Sequence, residues 1–131
     1  MSKKVYRILI VDDDQDILAN LSDILTDLGY QTDTASDGEA AIVKVDELCP
    51  NADNCKFDLC LLDFKMPGMD GVELYEKILE HNPKLRAIMI TAYAGDDGVQ
   101  RAVDAGTWEV LRKPVDIQKL LGMIKEASTT A

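Results

Sequence analysis

The chain has 131 residues, enough for one ordinary domain with a single sizeable core, and its 47% apolar and 29% charged composition is that of a water-soluble globular fold. A net charge of −10 argues against direct binding to nucleic acid or anionic membranes, and no apolar run approaches the roughly 20 residues of a membrane span. The single histidine, His81, excludes a histidine-rich metal site and a Ser-His-Asp triad, and three cysteines with no export signal argue against a disulfide framework.

The basic N-terminus runs directly into Ile8–Val11, too brief an apolar stretch for a signal-peptide core, so a cytoplasmic protein is expected. Continuous apolarity over Ile8–Val11 suits a strand covered on both faces. Ile17, Leu18, Leu21, Ile24, Leu25 and Leu28 then recur at helical spacing, and Gly29 supplies a stop. Tyr30–Ala35 is a weaker strand, after which Ser36 and Glu39 have capping-box spacing and open a helix toward Leu48. Pro50, Asn51, Asp53 and Asn54 make Cys49–Lys56 a polar loop, read as a solvated insertion in which Cys49 and Cys55 stay unlinked and bind no metal. Phe57–Leu62 is a strand containing an inert, buried Cys60, and Gly71–Glu80 a helix. His81 follows as a surface residue with no assigned role. Ala87–Ile90 is the fourth strand, Asp96–Ala105 a weakly patterned helix and Glu109–Leu111 a short fifth strand. Ile117, Leu120, Leu121 and Ile124 mark a last amphipathic helix, with Ser128–Ala131 expected to fray.

Five βα units imply an α/β fold in which a parallel five-stranded sheet carries helices on both faces. Right-handed crossovers leave a few doubly wound topologies, of which order 2-1-3-4-5 is expected. No repeat or second domain is visible, so residues 1–131 are read as one domain with a core over about 6–125.

Functional groups in such folds gather where the strands end at their carboxyl edge. Here those ends are Asp12-Asp13-Asp14, Asp63, Thr91 and Lys113-Pro114. Taken singly, one acid of the triplet would cap the next helix, and Asp63 would be a turn residue. Taken together, the acids demand compensation: two like charges ~4 Å apart repel by roughly 4 kcal/mol at an effective dielectric of 20. Mg²⁺ suits such a site, because it prefers one or two carboxylates with waters and phosphate oxygens completing its shell. Lys113 adds a positive charge that can meet a phosphoryl oxygen.

The stretches Ile8-Leu9-Ile10-Val11-Asp12-Asp13-Asp14, Asp58 through Asp63-Phe64-Lys65-Met66-Pro67-Gly68-Met69-Asp70-Gly71, Ile90-Thr91-Ala92-Tyr93 and Arg112-Lys113-Pro114 resemble the response-regulator receiver domains of two-component signalling. The resemblance runs from about Tyr6 to Lys125 and is most specific around Asp63. It implies a flavodoxin-like (βα)5 fold and a signalling domain that catalyses only its own phosphorylation and dephosphorylation. By it, Asp63 is the phosphoacceptor; Asp13, Asp63 and the backbone carbonyl of Lys65 bind Mg²⁺ or Mn²⁺, and Asp12 acts on the metal through water. Thr91 is the switch hydroxyl and Lys113 the phosphoryl-binding lysine, followed by Pro114 in a cis bond. Lys65 and Tyr93 line the mouth of the site. The implied partners are a sensor histidine kinase or a phosphotransfer protein, with homodimerisation possible through the face made by helix 4, strand 5 and helix 5.

One position departs from the family pattern. Val110 stands where an aromatic switch residue is usual, and Trp108, two residues earlier, is expected on the same strand face. Trp108 is read as a half-buried packing residue, the alternative being a contribution to a partner surface. Three other functions fit the residues less well. An aspartyl-nucleophile phosphohydrolase would carry an acid two residues after the nucleophile, where this chain has Lys65, and would need a cap insertion. A flavin-binding module would need a phosphate-binding loop where the acidic triplet stands. A pseudo-receiver acting only by contact is at odds with the complete acid, hydroxyl and lysine set.

Overall fold

The computed structural model describes residues 5–51, 53–92 and 96–129. Strands β1 (Arg7–Val11), β2 (Gln31–Ala35), β3 (Leu59–Asp63), β4 (Arg86–Thr91) and β5 (Glu109–Arg112) alternate with helices α1 (Gln15–Asp27), α2 (Gly38–Leu48), α3 (Gly71–His81), α4 (Asp96–Asp104) and α5 (Ile117–Thr129). All neighbouring strands pair in parallel, and the sheet order is β2-β1-β3-β4-β5, as expected.

Strand alternation divides the core between the two faces of the sheet. Ile8, Ile10, Leu59, Leu61, Ile88 and Ile90 pack with Leu18, Leu21 and Leu25 of α1 and Leu120 and Ile124 of α5. Leu9, Val11, Cys60, Leu62, Ala87 and Met89 pack on the opposite face with α2, α3 and Ala102 of α4. The three central strands are therefore apolar on both faces, which is why they read as continuous runs. β2 is an edge strand with only Ala35 fully buried, which explains its weak signal.

Local chemistry sets the helix boundaries. The side chain of Asp14 accepts the N–H groups of Asp16 and Ile17 and starts α1. Gly29, with φ of +95°, closes that helix in the left-handed region. At α2 the cap is Asp37, whose Oδ1 accepts the N–H of Ala40 at 2.8 Å, and not Ser36 as the capping-box spacing suggested. Both residues lie before Gly38, and the carboxylate one step later reaches the free amide of the first turn. Asp70 caps α3 in a full capping box with Glu73. Ser128 and Thr129, expected to fray, belong to α5, where Ser128 Oγ bonds the carbonyl of Lys125.

Two further expectations are overturned. Cys49 and Cys55 are joined as a disulfide. The loop folds back on itself: the Lys56 N–H donates to the Leu48 carbonyl at 2.8 Å, and Asn51 Oδ1 accepts the N–H groups of Asp53 and Asn54. Those bonds bring the two cysteines together, a closure that spacing alone did not reveal. Trp108, moreover, does not share a face with Val110. It precedes β5, so strand alternation does not govern it, and it packs on the α1/α5 side while Val110 packs on the other. Its half-buried ring lies 4.4 Å from the Arg86 guanidinium, consistent with a packing role.

Candidate functional site

The carboxyl ends of β1, β3 and β5 converge on one cavity of about 640 Å³, lined by Asp12, Asp13, Asp14, Asp63, Lys65 and Lys113 among others. The acidic triplet divides its labour. Asp14 turns away to cap α1, whereas Asp12 and Asp13 each place a carboxylate oxygen within 4.8 Å of one from Asp63. Asp12 and Asp63 are buried and Asp13 is exposed, so the group can hold a metal ion that is reached from solvent.

Lys113 bridges the two buried acids, its Nζ lying 3.1 Å from Asp63 Oδ1 and 3.4 Å from Asp12 Oδ2. Asp12 is held by a second bond, from the Asp14 N–H to its Oδ1 at 2.9 Å. The Lys113–Pro114 peptide is cis, as the resemblance implied. Behind the lysine, its own N–H donates to the Thr91 carbonyl at 2.7 Å, which ties the end of β5 to the end of β4.

One lysine does not neutralise three acids. Asp63 shows the consequence: its pKa is raised from 3.8 to about 6, first by burial and then by the charge of Asp12, against the opposing pull of Lys113. For Lys113 burial acts to lower the pKa, but hydrogen bonding and attraction to Asp63 and Asp12 outweigh it and the net shift is upward. A divalent cation would relieve the residual repulsion, so the donor set fits a hard, oxygen-seeking ion.

Thr91 ends β4 and is buried, but it does not line the cavity; Ala92, the next residue, does. Lys65 is exposed at the mouth. Tyr93, also expected there, lies outside the described residues. Two supporting features escaped the sequence reading. Gly71 packs so closely under β3 that a Cβ there would stand 2.5 Å from the Asp63 carbonyl oxygen and 2.7 Å from Met89 Sδ. Arg101 of α4 reaches across to Asp70 at 3.0 Å, with Phe64 5.7 Å beneath its guanidinium, linking α4 to the loop after β3. The Asp70-Gly71 pair marks the turn into α3, but nothing in a linear sequence signals how close that turn lies to Asp63.

The response regulator receiver domain family matches residues 8–125. The chain belongs to that family. It is 35% identical over 120 residues to the chemotaxis protein CheY of Treponema pallidum, covering 91% of this chain and 80% of that protein. It is also 35% identical over 120 residues to sporulation initiation phosphotransferase F of Bacillus subtilis, covering 92% and 91% of the two chains. Among solved structures, a chain of the CheX–CheY–BeF3–Mg²⁺ complex of Borrelia burgdorferi superposes with a TM-score of 0.85 at 32% identity, over 95% of this chain and 90% of that one. Longer curated relatives match as well, of which the chain spans 46% in one case and 27% in another. Among the described residues, no helix is long and apolar enough to cross a membrane.

Proposed function

We propose that the chain is the phosphoacceptor of a two-component pathway, taking a phosphoryl group onto Asp63 from the phosphohistidine of a sensor histidine kinase or phosphotransfer protein. The observation that carries this reading is the trio of carboxylates within 4.8 Å with Lys113 Nζ set between the two buried members. Asp13, Asp63 and the Lys65 carbonyl are assigned to Mg²⁺ directly, with Asp12 acting through water; Mn²⁺ can substitute. When bound, the ion supplies charge neutralisation for a transfer that depends on alignment more than on proton movement.

In the transfer, an Asp63 carboxylate oxygen forms a bond to phosphorus as the phosphorus–nitrogen bond to the donor imidazole breaks, and the imidazole takes up a proton. Asp63 must be ionised to attack, and its neighbours set how readily it is. Lys113, already 3.1 Å from Asp63, pairs with an oxygen of the incoming group. Thr91 turns its hydroxyl toward the new phosphoryl oxygens. The added negative charge thereby biases the α4–β5–α5 face, through which the chain meets its target or a second copy. The chain acts as one cytoplasmic signalling domain and turns over no substrate other than its own acyl phosphate. Incubation with acetyl phosphate and Mg²⁺ followed by intact-mass measurement tests this: one phosphoryl group is gained, and none when the metal is chelated. Equal modification with and without chelator would count against the metal site.

A further inference from the structure

We infer that Cys49 and Cys55 form a thiol–disulfide exchange site at the α2–β3 corner, entered through Cys55 and resolved by Cys49. The two sulfurs are joined in the structure, closing a ring over residues 49–55. They are differently placed: Cys49 caps the end of α2 and is 2% exposed, whereas Cys55 is only partly buried. An incoming disulfide therefore meets Cys55 first. The loop also carries hydrogen bonds independent of the sulfurs, from the Lys56 N–H to the Leu48 carbonyl and from the Asp53 and Asn54 N–H groups to Asn51 Oδ1.

The chemistry balances as ordinary exchange. The Cys55 thiolate attacks one sulfur of a small-molecule or protein disulfide and releases one thiol. Cys49 then attacks the Cys55 sulfur of the mixed disulfide and releases the second. Two cysteine thiols are oxidised and one external disulfide is reduced to two thiols. The third cysteine does not compete: Cys60 is fully buried in β3, and burial pushes its thiol up to about 12. Beside the corner, His81 Nδ1 at the end of α3 lies 3.2 Å from Asp46 Oδ1 of α2, and Lys84 Nζ, in the turn after α3, lies 3.8 Å from Asp53 Oδ1 of the loop. Fastening or freeing the loop thus acts on the surface where Asp53 meets the turn after α3. Asp63 is at the other end of β3 from this corner, so the exchange leaves the carboxylate pocket unchanged. The inference rests on the proposed function only in placing the chain where thiols are kept reduced and disulfides are transient and redox-sensing.

The test equilibrates the full chain in mixtures of reduced and oxidised glutathione, quenches with acid, unfolds it, alkylates free thiols and counts the adducts by mass. The count should pass from three to one in a single step across the series, without accumulating a glutathione adduct. A parallel Cys49→Ser variant should trap glutathione on Cys55. Three free thiols throughout would overturn the inference, as would one throughout, which would make the link permanent. An adduct that persists in the unaltered chain, or none on the Cys49→Ser variant, would also overturn it. None of these readouts involves phosphorylation, so failure here and failure of the Asp63 assignment are separable.

Discussion

Asp63→Asn should make the metal-free protein more stable at neutral pH, although it removes the proposed phosphoacceptor. Unfolded, Asp63 titrates near 3.8; folded, it titrates at about 6, chiefly through burial and the charge of Asp12. Between those values the folded chain holds a proton that the unfolded chain has released, so stability falls as pH rises through that window. Above about pH 6 the full penalty is present. At 1.36 kcal/mol per unit, the shift corresponds to roughly 3 kcal/mol, with the attraction to Lys113 already included. Asparagine has nearly the same shape and no charge, so the variant should recover about 1–3 kcal/mol at pH 7 in the presence of chelator. Urea unfolding at pH 7 and at pH 4 measures this. The gain should be clear at pH 7 and largely gone at pH 4, where wild-type Asp63 is itself protonated. A variant less stable than wild type at pH 7, or a gain independent of pH, would refute the electrostatic account of the pocket.

Other expectations follow from the same geometry. With Asp63 a ligand as proposed, Mg²⁺ affinity should rise with pH through about 6 and release protons on binding, which calorimetry in two buffers of different ionisation heat would detect. Gly71→Ala should destabilise by about 1–3 kcal/mol, since its Cβ would meet the backbone of Asp63 at 2.5 Å, and unchanged denaturation would mean the loop can shift freely. Trp108 fluorescence should not respond to beryllofluoride with Mg²⁺, because the ring stacks on Arg86 at the start of β4, the opposite end from Thr91; a clear response would assign it a part in the switch. Reducing the Cys49–Cys55 link should cost about 2 kcal/mol of stability for so short a ring, readable as a lower melting temperature in the reduced chain.

How much of this was legible in the sequence depends on the range of the interaction involved. Strand and helix identities were readable because the central strands are covered on both faces and their helices on one, and each condition leaves its own period. The placement of Asp12, Asp13, Asp63 and Lys113 was readable because a parallel sheet puts every strand's carboxyl end on the same edge. Which acid of the triplet does what was not fixed by the residues themselves. Asp14 became the cap and Asp12 the lysine partner only once α1 had chosen its start. Contacts between remote surfaces left no linear trace: the ion pair of Arg101 with Asp70, the close seat of Gly71 and the closure of residues 49–55 each depend on how loops fold back. Trp108 misled because strand alternation was extended one residue beyond where β5 begins.

The central claim is that the gathered carboxylates make Asp63, and no neighbouring acid, the group that receives phosphate. Borohydride reduction of the chain treated with acetyl phosphate and Mg²⁺ converts an acyl phosphate to the corresponding alcohol, which peptide mapping then locates. The account predicts homoserine at position 63 alone. Conversion at Asp12 or Asp13, or none anywhere in a folded, metal-loaded chain, would contradict it.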